Sequence, residues 1–197
     1  FGVSSVQAFY EQTRANAPDP ATGKPDPAKQ AAFAKGHPEF AHFAAWAKNA
    51  PWSTSWASTT YNGVNTFRFV NRAGDVHNVR WSMQPQADFV VMTPEQRAAV
   101  DGNFLSEDLD ARLAKDPLRW DMVVTVAQPG DSIVDPSQSW PEDRQHVVVG
   151  TVVIERSTPQ ATGACRDINY DPLVLPTGVQ GSDDPILAAR SAVDSVS

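Results

Sequence analysis

Residues 65–83 read NTFRFVNRAGDVHNVRWSM, and this stretch decides the fold. β-Branched and aromatic side chains alternate with polar ones on both sides of residues 72–75, a turn that contains Gly74. Alternation with a period of two is typical of a half-buried strand, and a short glycine-containing turn between two such runs predicts a β-hairpin. We therefore predict two antiparallel strands, 65–71 and 76–83.

Two more strands and several helices are predicted around this hairpin. β-Branched residues dominate the strands, and apolar residues at helical spacing mark the helices. The predicted strands are 120–128 and 147–155, and the predicted helices are 3–16, 106–115 and 185–196, with another helical region that is interrupted at 36–38. Helices, then an antiparallel sheet, then a late helix indicate an α+β fold whose sheet curves into a barrel.

The helices carry expectations about their ends and their buried faces. Ser4 or Ser5 is the expected N-cap of the first helix, and Ser106 that of the helix at 106–115. A Ser or Asp cap followed by Pro185 marks the start of the last helix. The residues expected on buried faces are Val3, Val6, Phe9, Tyr10 and Thr13 in the first helix and Phe40, Phe43, Ala44, Trp46 and Ala47 in the interrupted region.

The composition is ordinary for a globular protein and excludes several classes of function. Of 197 residues, 41% are hydrophobic and 20% are charged. The net charge is −7, and the sequence contains no block of like charges. Nucleic-acid binding needs clustered Lys and Arg, and a bilayer span needs about 20 apolar residues in a row, so we expect neither partner. The single cysteine, Cys165, excludes an internal disulfide framework and a cysteine-built zinc site.

The two ends of the chain indicate a piece of a longer protein. The first residue is Phe1, within an apolar pattern, and the helical pattern is still running near Ser197. Natural chain ends are usually frayed and exposed. We expect one domain, 1–197, with a linker-like loop at 17–29 (APDPATGKPDPAK) that is rich in Pro and Gly.

Four short stretches resemble motifs of the catalase family. Each is a weak signal alone, but their order and spacing match along almost the whole chain. They are YNGVNTFRFVN at 61–71, DPSQSWP at 135–141, YDPLVLPTGV at 170–179 and DPILAAR at 184–190. The family patterns read roughly G-x-H-T-F-x-x-V-N, N-P-F-D-x-T-x-x-W-P, F-D-P-x-x-x-P-P-G-I and D-x-x-L-x-x-R. The Pro-rich loop favours the compact catalase-related peroxidases over the large tetrameric enzymes.

This resemblance implies a catalase-like antiparallel β-barrel with flanking helices, incomplete at the N-terminus, of which the chain is the C-terminal two-thirds. It also implies a haem-dependent peroxidase that binds haem b and acts on hydrogen peroxide or organic peroxides with a small-molecule reductant. A homodimer is a possible assembly. The family's distal histidine and asparagine would precede Phe1, so no catalytic residue is expected within this chain.

The resemblance also implies that the last helix lies on the proximal side of the haem. Asp194, four residues after Arg190, has the position of the family's tyrosinate ligand and is the expected ligand to haem iron. Asp184 and Asn65 have the positions of an aspartate and a histidine that support the arginine. The residues alone allow simpler interpretations. These are a surface ion pair of Arg190 and Asp194, worth about 0.3–0.5 kcal/mol, an ordinary helix cap at Asp184, and local strand pairing at Asn65.

Three aromatic residues complete the implied pocket. Phe1 and Phe9 correspond to aromatic residues on the distal face of the haem in the family, and Tyr170 to one on the proximal side. Without the resemblance, all three would be interpreted as core residues. The four histidines show no metal-ligand spacing and are expected on the surface; they are His37, His42, His77 and His146.

Two other functions are compatible with the sequence. Asp194 and Asn65 also suit a haem-free relative that keeps the barrel as a structural or interaction module without activity. A lipocalin-like carrier would use the barrel for an apolar ligand, but the Pro-rich loops and the last helix do not suit that fold. Cytoplasmic and periplasmic locations both stay open.

Overall fold

The computed structural model describes residues 1–195, which form six α-helices, one turn of 3₁₀ helix (Trp56–Ser58) and a five-stranded sheet. The helices are α1 (Val6–Asn16), α2 (Pro27–Gly36), α3 (Phe40–Asn49), α4 (Pro94–Ala99), α5 (Phe104–Leu113) and α6 (Pro185–Asp194). The strands are β1 (Tyr61–Val70), β2 (Val76–Pro85), β3 (Leu118–Val126), β4 (His146–Ile154) and β5 (Val179–Gly181). No helix within residues 1–195 is long and apolar enough to span a membrane.

The sheet is antiparallel throughout, and its strands lie in the order β4-β3-β2-β1-β5. It curls into a half-barrel with helices on its flanks, so the predicted α+β class is confirmed. The predicted hairpin is confirmed as β1 and β2. Its turn contains Gly74 at φ 90°, a left-handed conformation that glycine adopts without steric strain. β3 and β4 begin slightly earlier in the chain than predicted.

β1 contains an irregularity that turns two consecutive side chains into the interior. Its pairing with β2 shifts register between Gly63 and Phe67, which is the mark of a β-bulge. Asn65 and Thr66, inside this bulge, are only 5% and 1% exposed. In a regular strand, neighbouring side chains point to opposite faces, so the bulge allows both polar residues to be buried at one place.

Gly63 lies directly opposite Trp81, and we expect Gly63→Ala to lower the free energy of unfolding by about 1–3 kcal/mol because of overpacking. A Cβ atom at Gly63 would lie 2.6 Å from the indole ring of Trp81, which is too close for a real contact. Urea unfolding would measure the loss. The control is Gly150→Ala in β4, where a Cβ atom would meet nothing within 4 Å. Equal stability of the two variants would contradict the close packing of Gly63 and Trp81.

β4 forms one edge of the sheet and exposes apolar side chains on both of its faces. Every residue from 146 to 153 is exposed, and the sequence HVVVGTVVI contains no Lys, Arg, Asp or Glu. The most exposed of its valines are Val148 at 63% and Val149 at 52%. Charged side chains usually protect an edge strand from pairing with other chains, and β4 lacks them.

The ends of the helices agree only in part with prediction. Ser5 caps α1, because its hydroxyl accepts a hydrogen bond from the backbone N–H of Ala8 at 3.2 Å, as predicted. The prediction that Ser106 caps a helix is wrong, because α5 begins at Phe104 after Asn103. The Asp101 carboxylate accepts from the Asn103 N–H at 2.7 Å and forms a turn there, which starts the helix earlier. The predicted end of the last helix, at residue 196, lies outside the described residues.

The predicted buried faces of the first helices are wrong for most of their residues, although Val3 is buried as predicted and Phe40 is partly buried against the same cluster. Phe9 and Tyr10 are 46% and 55% exposed, and Trp46 is 64% exposed on α3, which has no buried residue. The buried residues of α1 are Ala8 and Ala15 instead, and they cluster with Val3 and with Phe33 of α2. Helical spacing shows where apolar residues lie on a helix, but the neighbouring elements decide which side is covered. α2 begins at Pro27, within the predicted loop 17–29.

His37, at the end of α2, connects α2 to α1. Its Nε2 atom lies 2.8 Å from Glu11 Oε2 and its Nδ1 atom 3.4 Å from Glu39 Oε1. The hydrogen bond to Glu11 is the largest of the effects that raise the pKa of His37 above its ordinary value. Protonated His37 therefore stabilises the contact between the two helices.

The stability of this helix contact is expected to depend on pH. Because the pKa of His37 is raised in the folded chain, its contribution is complete below about pH 6.5 and is lost as the pH rises through the raised value. We expect His37→Gln to lower the unfolding midpoint by about 1–2 °C at pH 6 and by less at pH 8.5, since exposed ion pairs contribute little. Thermal unfolding at both pH values measures the effect, with exposed His42→Gln as the control. Identical pH dependence in both variants would contradict the prediction.

Candidate functional site

The predicted partners Asn65 and Asp184 meet in the interior. Asn65 Nδ2 donates a hydrogen bond to Asp184 Oδ2 at 2.7 Å, and Asp184 is only 2% exposed. The other carboxylate oxygen of Asp184 accepts from the Ile186 N–H at 2.8 Å and caps α6. Asp184 is therefore both a helix cap and the buried partner of a strand residue, and it joins β1 to α6.

The short strand β5 places the start of α6 against the bulge of β1. β5 pairs with β1 at Phe67 and Gly181, and the Ser182 N–H donates to the Thr66 carbonyl at 3.3 Å. A Cβ atom at Gly181 would lie 3.4 Å from the side chain of Leu187, which is itself 1% exposed. The first turn of α6 is thus fixed by backbone pairing and by close apolar packing.

Arg190 and Asp194 lie further along α6, beyond this buried start. Arg190 is exposed, and it forms no ion pair with any residue in the part of the chain that the structure describes, so the simple Arg190–Asp194 pair is not formed. Asp194 is half-buried, and its backbone carbonyl accepts a hydrogen bond from Asn169 Nδ2. The structure brings Asn65 and Asp184 together, but not Arg190 with either of them.

The aromatic candidates fall in two separate places. The rings of Phe1 and Phe9 are in contact, with centroids 5.2 Å apart, and Phe9 is 46% exposed. Tyr170 is 68% exposed, and a hydrogen bond with Cys165 raises the pKa of its hydroxyl. The interpretation of Phe9 and Tyr170 as core residues is therefore wrong.

Arg80, on β2, is a residue of this region that sequence patterns missed. Its guanidinium donates to the Gln138 carbonyl at 2.6 Å and to the Asp135 carbonyl at 3.2 Å, and it lies 4.4 Å from the centre of the Trp140 ring. Burial lowers the pKa of Arg80, and the negative charge of Asp184 is the largest effect that opposes this. The one signal in the sequence was an arginine in the interior of a predicted strand.

The comparison with known families decides the identity of this fold. The profile of the catalase family, described as Catalase, matches residues 1–193. The chain belongs to the catalase family. The resemblance inferred from the four motifs is thereby confirmed.

Two bacterial relatives lie within the catalase-related branch of this family. The catalase-family chain is 43% identical, over its whole length, to the catalase-related peroxidase of Synechococcus elongatus, and it spans 58% of that protein. It is 36% identical, over 73% of its length, to the catalase-related peroxidase of Mycolicibacterium paratuberculosis, and it spans 45% of that protein. The chain thus spans about half the length of these relatives.

Solved catalases share the fold of this catalase-family chain. A bacterial catalase superposes with a TM-score of 0.84 at 21% identity, covering 100% of this chain and 40% of that chain. Catalase A from Saccharomyces cerevisiae superposes with a TM-score of 0.84 at 16% identity, covering 100% of this chain and 43% of that chain. At such low identity these similarities establish the fold alone, and they confirm the predicted catalase-like architecture.

The residues at the family's haem positions include an oxygen donor that suits iron, but their side chains differ from those of the family in length and in charge. Proteins of the catalase family typically bind haem. A carboxylate, like a tyrosinate, is an anionic oxygen donor, so half-buried Asp194 is suited to a ferric ion. Its side chain is shorter than that of tyrosine by most of a ring. Asn65 differs from the family's histidine because an amide donates and accepts hydrogen bonds but carries no charge.

Proposed function

We propose that this catalase-family chain is part of a haem-dependent, catalase-related peroxidase that consumes hydrogen peroxide or small organic peroxides. The observation that carries the proposal is the buried hydrogen bond from Asn65 Nδ2 to Asp184 Oδ2, at 2.7 Å. These are the two positions that support the proximal arginine in catalases, and they meet across 119 residues of sequence. The name of the relative that is 43% identical over the whole chain supports the same activity.

The proposed haem b, when bound, supplies the iron at which peroxide is reduced. Asp194 would present its carboxylate to that iron, and Arg190, one turn earlier, would hold the carboxylate in its ionised form by charge. Phe1 and Phe9 would line the distal face and exclude water there. Tyr170 would contact the proximal side. A small-molecule reductant would supply the electrons of each turnover.

Asn65 and Asp184 have a positioning role in this proposal. By fixing the first turn of α6 on β1, they set the direction in which the helix presents Arg190 and Asp194. A histidine at the position of Asn65 could pass charge to the arginine, whereas the neutral amide of Asn65 can only hold the Asp184 carboxylate in place. Asn65 and Asp184 therefore support the proximal arginine by fixing the position of α6, and not by passing charge to it.

We also propose that residues 1–197 act as a single catalase-like unit, whose linker-like loop ends where α2 begins at Pro27. The continuous sheet supports this, because β5, late in the sequence, pairs with β1 from the first half of the chain. A homodimer is the proposed assembly, and neither nucleic acid nor a membrane is a proposed partner. The net charge of −7, without a basic cluster, supports the absence of a nucleic-acid partner.

The test is a titration of the purified chain with hemin, followed by absorption in the Soret region. The proposal requires a saturable, one-to-one change of the Soret band when the chain is added. The second candidate is a haem-free structural or interaction module, which is favoured by Asp194 at the position of the family's tyrosine. If the chain is folded and the Soret band of hemin does not change, the peroxidase proposal is rejected and the haem-free module remains.

A further inference from the structure

Arg80 reaches from the middle of β2 into the loop at 131–140. Its guanidinium donates to three backbone carbonyls, at 2.6 Å to Gln138, 3.2 Å to Asp135 and 3.4 Å to Ser132. The planar guanidinium carries five N–H donors in a fixed fork, which allows one side chain to serve several acceptors. Arg80 thus ties one loop to the centre of the sheet.

The same loop has a second, independent attachment. Arg144 donates to Asp131 at 2.8 Å and 2.9 Å, and the Asp131 side chain is 4% exposed. Trp140 Nε1 donates to the Ser132 carbonyl at 2.8 Å. The loop is therefore held at its base without Arg80, so holding the loop does not by itself explain why a charged side chain is half-buried in the sheet.

On its other side Arg80 faces the buried cluster of β1 and α6. Its Nε atom lies 3.4 Å from Thr66 Oγ1, and Thr66 is the neighbour of Asn65 inside the bulge. Asp184 is 2% exposed, and among residues 1–195 no Lys or Arg nitrogen lies within 4.0 Å of its carboxylate. A buried carboxylate is strongly destabilised unless hydrogen bonds and a nearby positive charge compensate for its lost hydration.

Arg80 is a cation that can provide this compensation from inside the sheet. Arg190, which would support the ligand on α6, is exposed to solvent, where its field is screened by water. Arg80 is half-buried between Thr66 and Trp140, so its charge acts through a medium of low polarity. The hydrogen bond from Asn65 is neutral and supplies no charge.

We propose that Arg80 is a positioning residue of this site: its half-buried guanidinium is the counter-ion of Asp184 and at the same time holds the loop 131–140 on the sheet. The loop and the first turn of α6 are thereby coupled through one side chain. This inference rests on the proposed function only where it concerns haem, because the coupling itself is a property of the folded chain.

A double-mutant cycle tests the coupling in the full chain without any cofactor. The variants are Arg80→Met, Asp184→Asn and the two combined, and thermal unfolding gives their midpoints. Asn keeps the shape of Asp184 and its ability to cap α6. We expect Arg80→Met to lower the midpoint by about 5 °C in the wild-type background and by less than about half of that beside Asp184→Asn. Arg80→Lys, which keeps the charge without the fork, is expected to recover part of the loss.

Arg144→Met is the matched control, since it frees the same loop from its other end. Its effect is expected to add to that of Asp184→Asn without coupling. Additive effects of Arg80→Met and Asp184→Asn would overturn the inference, as would a loss for Arg80→Lys as large as that for Arg80→Met. Either result would assign Arg80 to the loop alone.

A hemin titration separates this inference from the proposed function. If the chain binds hemin, Arg80→Met is expected to weaken binding about fivefold and Arg144→Met by less than about twofold. Equal weakening by both variants would count against a positioning role for Arg80. If the wild-type chain binds no hemin, the proposed function fails, and the double-mutant cycle alone decides whether Arg80 is coupled to Asp184.

Discussion

Replacing Asp184 by Ala is expected to lower the free energy of unfolding by about 3 kcal/mol. The change removes the cap of α6, which typically contributes about 0.5–2 kcal/mol. It also leaves the Asn65 amide buried without its acceptor, which costs about 1–3 kcal/mol. A loss of this size corresponds to a decrease of about 6–12 °C in the unfolding midpoint for a chain of this length.

Asp183→Ala is the control for this measurement. Asp183 precedes Asp184, but its side chain is 78% exposed, and it takes part in a surface ion pair with Arg68. Such pairs contribute at most about 1 kcal/mol, so the control should unfold near the wild-type midpoint. Chemical denaturation followed by circular dichroism would measure both variants. If Asp183→Ala and Asp184→Ala lose the same stability, the buried bond between β1 and α6 does not fix the helix.

The second large effect is expected at the proposed ligand position. We expect Asp194→Tyr to tighten hemin binding about 30-fold, equivalent to about 2 kcal/mol. A tyrosine reaches further than an aspartate, and the cation at Arg190 and the ferric ion both favour its phenolate form. The phenolate is the ligand that the catalase family uses on this helix. Hemin titration of both proteins, followed by the Soret band, would measure the change.

Asp194→Phe separates coordination from apolar contact at this position. The phenylalanine ring fills the same space as tyrosine but offers no oxygen to the iron. If coordination is the cause, Asp194→Phe should bind hemin no more tightly than the wild-type chain does. Equal gains in Asp194→Tyr and Asp194→Phe would show that the ring acts by burial alone, and Asp194 would no longer be assigned as the ligand position.

Local patterns predicted the elements of this fold that depend on short-range chemistry. The hairpin followed from alternation around Gly74, and the start of α6 followed from acids and Pro185. The faces of α1 and α3 did not follow, because burial depends on which elements pack on them. The buried residues of α1 are Ala8 and Ala15, and no periodicity marks small residues as the buried side.

In the candidate site, too, some residues could be predicted from the sequence and others could not. Asn65 and Asp184 could be paired in advance, because both lie in stretches that resemble family motifs, and the structure brings them together. Arg80 could not be assigned, since its partners are backbone carbonyls and a tryptophan ring, which leave no specific pattern in the sequence. The bulge that buries Asn65 beside Thr66 was equally hidden, because it exists only in the register between two strands.

The uncharged edge strand β4 has a practical consequence for every measurement on this chain. A row of valines without a single charge offers open backbone donors and acceptors to any other extended segment in solution. Association through that edge strand would grow with protein concentration and would distort unfolding midpoints and hemin titrations alike. Dilute samples, or the substitution Val148→Lys, would keep the chains apart while unfolding and hemin binding are measured.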